Sequence, residues 1–175
     1  MFKAMHQLRT KISKGERGFT LVELLIVVAI IGILAAIAIP QFAAYRTRSY
    51  NAASVSDMRN VRTVQESLFA DNSSYAPSGV PATGNVVFTF NAVPVSTFSV
   101  SKNVYMGVLT LAAAPTSTLV ATTYTITDKN TAGDRKICGE AEQTAMYWYT
   151  DTIGTVLAAS MAATAANDCV GGTAL

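Results

Sequence analysis

The sequence has few charged residues and almost no histidine. Lys, Arg, Asp and Glu make up 14% of its 175 residues, and the single histidine is His6. Beyond His6 the chain has no imidazole to serve as a general base or a metal ligand. Half of the residues are hydrophobic, which favours a subunit that buries surface in an assembly over a free soluble domain. We therefore expect no enzyme, no catalytic residue, no cofactor and no metal site.

Charge is missing above all from one segment near the N-terminus. Residues 24–39 carry no charged side chain, and with residues 19–22 they are about as long as a membrane-spanning helix. Glu23 is the one acid in this segment, and because a carboxylate in lipid is costly, its presence suggests a specific partner. Basic residues before the segment hold an N-terminus in the cytoplasm, and here they are Lys3, Arg9, Lys11, Lys14 and Arg17.

Residues 14–25, KGERGFTLVELL, resemble the prepilin signature of type IV pilins and their relatives. Residues 35–42, AAIAIPQF, are also similar to pilins. In that family a membrane-embedded prepilin peptidase cuts after the glycine and methylates the new amine. The resemblance therefore implies a leader of residues 1–18, a cut between Gly18 and Phe19, and N-methylation of Phe19. This leader is longer than is usual for pilins that begin with phenylalanine, and a start at Met5 would shorten it, so the subclass stays open.

The resemblance also implies how the mature chain assembles. Glu23 would pair with the Phe19 amine of a neighbouring subunit and so select one axial register, because either ion alone is costly in an apolar bundle. The alternative is an acid merely tolerated near the lipid interface. The chain would be a major pilin, held in the inner membrane with its head in the periplasm and then polymerised into an extracellular type IV pilus.

The implied partners and roles come from the family alone. The partners are other copies of the chain in a helical homopolymer, the prepilin peptidase, an assembly ATPase, an inner-membrane platform protein and an outer-membrane secretin. The pilus would serve adhesion, twitching motility, DNA uptake or aggregation.

Two other functions stay open. A pseudopilin of a type II secretion system shares every N-terminal feature. A secreted binding domain or enzyme would result if residues 36–38, AIA, were an ordinary signal cleavage site and the chain were cut after Ala38. Glu23 inside the apolar segment and the Gly18–Phe19 junction weigh against this second alternative.

The basic pI of 8.6 does not indicate nucleic-acid binding. Residues 1–18 hold five of the thirteen Lys and Arg and one of the eleven Asp and Glu, so the chain without them has a net charge of −2. A nucleic-acid role would need a wider basic patch than the sequence has. Arg46 and Arg48 follow the apolar segment and could contact lipid phosphates or carboxylates of neighbouring subunits, or simply be solvated.

Two features of the C-terminal part concern disulfide and metal chemistry. Cys138 and Cys169 are the only cysteines, and outside the cytoplasm such a pair predicts one disulfide, the alternative being two unpaired buried thiols. Asp128, Asn130 and Gly133 have the spacing that begins a calcium loop. Gly139 stands where that loop requires a glutamate, so residues 128–134 are interpreted as a hairpin turn.

The predicted fold is α+β. Apolar residues recur at helical spacing after the membrane segment, which predicts one helix over residues 19–71. Residues 19–42 would be its transmembrane and assembly segment, with a kink or melted turn at Pro40 and a weak point at Gly32. Residues 72–175 would form a globular head with the C-terminal part of the helix, which packs on an antiparallel sheet of about four strands.

The strands are predicted from Val, Thr, Tyr and Leu enrichment between turn residues. We expect strands near residues 86–90, 104–112, 119–127 and 135–138, a hairpin connection at 113–117, and a strand or short helix at 146–150. The Ala-rich residues 156–166 favour a helix. Aromatic residues along the long helix and at residues 147–149 are interpreted as packing groups.

Overall fold

A computed structural model of the chain describes residues 18–78, 81–111, 121–157, 169 and 171–175. One long helix, α1, extends from Leu21 to Asn72. It ends where Ser73 adopts a positive φ of 54°, a left-handed conformation that stops a helix. The Ser73 amide donates to the Phe69 carbonyl at 2.7 Å and the Asn72 side-chain amide donates to the Leu68 carbonyl at 3.1 Å, so the last turn is capped locally.

The helix is not interrupted at its two weak points. Gly32 and Pro40 both lie within the continuous helical range, so no melted turn is found at Pro40. A kink at either residue stays a prediction.

The described chain divides into two compact units, one ending at Ala43 and the other beginning at Ala44. In the first unit the side chains of α1 face outward, and the most apolar 18-residue window has a mean hydropathy of 3.0 with none of it buried in the protein. By length and composition this part of α1 can cross a membrane.

The second unit is built on an antiparallel sheet. In the order of their pairing, the strands found in the described residues are β1 (Ala82–Thr83), β4 (Val104–Thr110), β5 (Tyr124–Asn130), β6 (Arg135–Glu140), β7 (Met146–Thr150) and β8 (Thr173–Ala174). Each pairs antiparallel with its neighbour. A separate hairpin is formed by β2 (Asn85–Phe90) and β3 (Val93–Ser99).

The core lies between the second half of α1 and the sheet. Met58, Val61 and Leu68 of α1 are buried, at the spacing of three to four residues that places them on one face. They belong to one apolar cluster with sheet residues such as Ile126 and Ile137. Gly139 of β6 allows α1 to pack closely against this strand, because a Cβ at position 139 would lie 3.2 Å from the Met58 sulfur.

The α+β prediction is confirmed. The helix predicted over residues 19–71 is found at Leu21–Asn72. The strands predicted near residues 86–90, 104–112, 135–138 and 146–150 are present within a few residues. The four longer sheet strands are β4 to β7, to which two-residue edge strands are added. The hairpin connection at 113–117, residues 119 and 120, and most of the Ala-rich stretch 156–166 lie outside the described residues.

One prediction of local structure was wrong, and one strand was not predicted. Residues 128–130 are not part of a turn but the end of β5, and the turn follows at residues 131–134. Strand β3 was not predicted because Pro94, Ser96 and Ser99 interrupt its apolar pattern. All of its residues except Ser96 and Phe98 are exposed, so burial imposes little apolar periodicity on this strand.

Candidate assembly site

The first turn of α1 is closed by Thr20 and Glu23. The backbone amide and the hydroxyl of Thr20 both donate to Glu23 Oε2 at 2.8 Å, and the Glu23 amide donates to the Thr20 hydroxyl at 3.2 Å. This reciprocal arrangement is a capping box, which satisfies amides that a helix start leaves unpaired. The carboxylate also lies at the positive end of the helix dipole.

The sequence analysis missed Thr20. Its signal was present, since a Thr followed three residues later by Glu, directly before an apolar run, is the sequence pattern of a capping box. Thr20 therefore joins Phe19 and Glu23 in the site. It holds the acid against the helix start while Oε1 of Glu23 receives no bond from the described residues.

The surroundings of this site are open. Phe19 is 90% exposed, and apart from the two chain neighbours of Gly18 no described residue has an atom within 4 Å of the position that a Cβ would take there. As far as the described residues show, the Gly18–Phe19 peptide is therefore accessible on its glycine side. Large apolar side chains are exposed all around the following helix, among them Leu24, Ile31 and Ile37, so this segment must be covered by lipid or by protein.

The structure joins Cys138 to Cys169, which is the predicted disulfide. The Cα atoms are 5.7 Å apart, inside the usual range for a disulfide. Cys138 lies on β6 and both cysteines are fully buried. The Tyr149 hydroxyl donates to the Cys169 carbonyl at 2.5 Å. Cys169, which lies shortly before the C-terminal strand β8, is therefore held both by the disulfide and by a hydrogen bond.

Asp128, taken above as a turn residue, is instead fully buried in the core. Neither of its carboxylate oxygens has a hydrogen-bond partner. Burial, together with the nearby charge of Asp57, raises the pKa of Asp128 well above its usual value. Asp57 itself is bonded, since it accepts from the Ser101 amide at 2.7 Å and from the Ser101 hydroxyl at 3.0 Å.

Asn130, at the end of β5, and Gly133 stabilise the turn that follows this strand. The Asn130 side-chain oxygen accepts from the Ala132 amide at 3.0 Å, and the Gly133 amide donates to the Asn130 carbonyl at 2.9 Å. These bonds within the turn are those of an Asx turn. Over the part of the chain that the structure describes, no three His, Cys, Asp or Glu side chains are grouped as metal ligands.

Comparison with known proteins identifies the class. Residues 13–39 match the family model of the prokaryotic N-terminal methylation motif. The chain is 47% identical over 68 residues to a fimbrial protein of Pseudomonas aeruginosa, covering 39% of this chain and 44% of that protein. It is 45% identical over 67 residues to the type IV major pilin protein PilA of Myxococcus xanthus, covering 38% and 30%.

A longer match extends into the head. The type IV wide pilus major component PilA4 of Thermus thermophilus is 31% identical over 122 residues, which cover 65% of this chain and 93% of that protein. The N-terminal motif, the apolar helix and this match define a pilin-type protein. The chain belongs to the type IV pilin family. It spans less than half the length of the Pseudomonas and Myxococcus relatives.

Proposed function

We propose that the chain is the precursor of a major pilin that is cut between Gly18 and Phe19 and polymerises into a type IV pilus. The observation that carries this proposal is the exposed apolar helix with Glu23 as its one acid, placed directly after an accessible Gly18–Phe19 bond. The names of the relatives support the same function.

Each part of the site has a role in this function. The basic residues before Gly18 keep the scissile bond at the cytoplasmic face, where a membrane-embedded prepilin peptidase would cut it and methylate the Phe19 amine. The apolar segment holds the subunit in the inner membrane with the head in the periplasm. An assembly ATPase, a platform protein and a secretin would move it into the fibre, which would serve adhesion, twitching motility or DNA uptake.

Glu23 would select the register of the polymer. Its Oε2 is already bonded to Thr20, so Oε1 is left to accept from the Phe19 amine of a neighbouring subunit. In an apolar bundle an unpaired ion costs several kcal/mol, so an incoming subunit would be stable only where its amine meets a Glu23. Pairing and capping would use different oxygens of the same carboxylate.

Processing is tested by replacing Gly18. The Gly18→Glu variant should accumulate as precursor, because a bulky acidic side chain occupies the site next to the scissile bond. Intact mass and N-terminal sequence of the wild-type chain should show an N-methylated Phe19. A mature N-terminus at Ile39 in either protein would show that the helix is an ordinary signal sequence.

Assembly is tested by comparing Glu23→Ala with Glu23→Gln. Gln retains an oxygen that can accept the Thr20 bonds but has no charge, whereas Ala loses both capping and charge. We expect both variants to be cut normally and to form few or no filaments, counted by electron microscopy, while cleaved subunits accumulate in the membrane. Wild-type filament numbers from Glu23→Gln, together with few filaments from Glu23→Ala, would show that capping matters and the ion pair does not.

A further inference from the structure

The head carries a groove of about 410 Å³ lined by residues of α1, of β6 and of the C-terminal end of the described chain. Its lining includes three arginines and an apolar floor: Arg48, Arg59, Arg135, Val55, Ile137 and Leu175. All of these residues belong to the unit that begins at Ala44.

None of the three guanidinium groups has a carboxylate partner in the described residues. The ion pair found there joins Lys129 to Asp151 instead. Asp134, next to Arg135 in the chain, is bonded by the side-chain amide of Asn51 at 2.7 Å. The described residues therefore place no carboxylate within ion-pair distance of these three guanidinium groups.

Aromatic rings hold two of these guanidinium groups. Arg135 lies over the Trp148 ring at 3.9 Å from its centroid, and Arg48 lies 5.7 Å from the Tyr45 centroid. A stacked guanidinium keeps its N–H donors in its own plane, where they can still bind an oxyanion. Stacking thus restricts the arginine without using its donors, which favours charge-assisted and bidentate bonds to phosphate.

We propose that this groove binds the phosphate headgroup of an anionic phospholipid. The arginines would bind the phosphate, and the accessible side chains of Val55 and Leu175 would contact the apolar part of an amphiphilic ligand. A lipid source is favoured because Arg48 follows the membrane-spanning apolar run by nine residues in the same helix, and basic residues next to a membrane segment attract anionic lipids. The proposal rests on the membrane-anchored precursor of the proposed function and not on polymerisation.

The test uses the full chain in uncharged detergent micelles. Trp148 is the only tryptophan and is stacked on a groove arginine, so its fluorescence should report occupancy. Dihexanoyl phosphatidylglycerol should produce a saturable change that 0.5 M NaCl weakens, an ionic strength at which charge interactions are screened. Dihexanoyl phosphatidylcholine and inorganic phosphate should produce little change at the same concentrations.

Substitutions of the groove arginines test whether the lipid binds in the groove. Arg59→Gln and Arg48→Gln should each weaken phosphatidylglycerol binding by about tenfold, as loss of a charge-assisted contact does. Arg46→Gln is the matched control, because Arg46 is close in sequence but is bonded to the Tyr50 hydroxyl at 2.8 Å and does not line the groove. Its affinity should remain within about twofold of wild type.

The outcomes separate the possibilities. Equal binding of phosphatidylcholine, equal binding of inorganic phosphate, or wild-type affinity in Arg59→Gln would each overturn the lipid proposal. Because the assay needs no filaments, it is independent of the Glu23 test. A chain that binds the lipid but forms no pilus would contradict only the proposed function.

Discussion

At the scale of single residues, Asp128 is a costly group in the head. It is fully buried, its two oxygens have no partner, and Asp57 adds a second negative charge nearby. A buried polar group without a hydrogen bond costs about 1–3 kcal/mol, so this position lowers the stability of the fold. An apolar residue of similar size would remove the cost.

The prediction is that Asp128→Val raises the free energy of unfolding at pH 7 by about 1–3 kcal/mol. The pKa of Asp128 is raised on folding, so the ionisation penalty is absent below the unfolded pKa of about 3.9 and grows as the pH rises towards the folded pKa. Wild type should therefore gain stability on acidification across this window, relative to the variant.

Urea unfolding of the full chain in micelles, followed by Trp148 fluorescence at a series of pH values from about 4 upwards, measures this difference. Asp128→Asn is the control that keeps a polar side chain but cannot ionise. It should lose the pH dependence and keep the cost of an unpaired polar group. A pH dependence in Asp128→Val equal to that of wild type would contradict the assignment.

At the scale of elements, the disulfide fastens the end of the chain to the sheet. Strand β8 has two residues and forms register pairs only with Tyr147 and Trp148, too few to hold a strand in place alone. The bond from Cys169 to Cys138 on β6 therefore keeps β8 on the sheet edge. The sequence separation of the two cysteines is 31 residues.

We expect the Cys138→Ser/Cys169→Ser double variant to lose about 3–4 kcal/mol of unfolding free energy, the loop-closure term for a loop of this length. The urea midpoint of the double variant against wild type measures the loss. Alkylation of the exported wild type before and after reduction is the control. Labelling of both thiols without reduction would show that the bond does not form in the native protein.

The elements also show what the sequence could and could not predict. The helix was predictable because its apolar periodicity continues beyond the membrane segment, from Tyr45 through Val61 to Leu68. The predicted strand ended at residue 127, whereas β5 continues to Asn130, because Asp128 and Asn130 are turn formers by propensity. Tertiary contacts override that propensity, since β5 is paired on both sides, with β4 and β6.

At the assembly site the chemistry was more predictable than the geometry. Glu23 was predictable because it is the one acid in the apolar segment. Gly18 and Phe19 were predictable because a glycine directly precedes that segment. The capping bonds of Thr20 depend on where the helix begins, and helix ends are the least certain part of such a prediction. The arginine groove was not predictable, because Arg135 joins Arg48 and Arg59 only through the packing of β6 beside α1.

At the scale of the whole molecule, the exposed apolar half of α1 restricts the chain to surroundings that can cover this segment. Side chains from Leu21 to Ile39 have no cover in the protein itself, so a free subunit in water is not a usable intermediate. For a fibre built as proposed, each subunit must pass directly from lipid to the other helices of the bundle.

That passage is close to balanced in hydrophobic free energy, because lipid tails are about as apolar as the Leu, Ile and Val side chains that would replace them. Small terms would then set its direction, including the proposed pairing of Glu23 and the work of the proposed assembly ATPase. In a fibre built in this way, the same balance would make growth reversible. Subunits withdrawn from its base would be able to re-enter the bilayer intact, so the membrane would serve as a store from which the fibre is extended and to which it is returned.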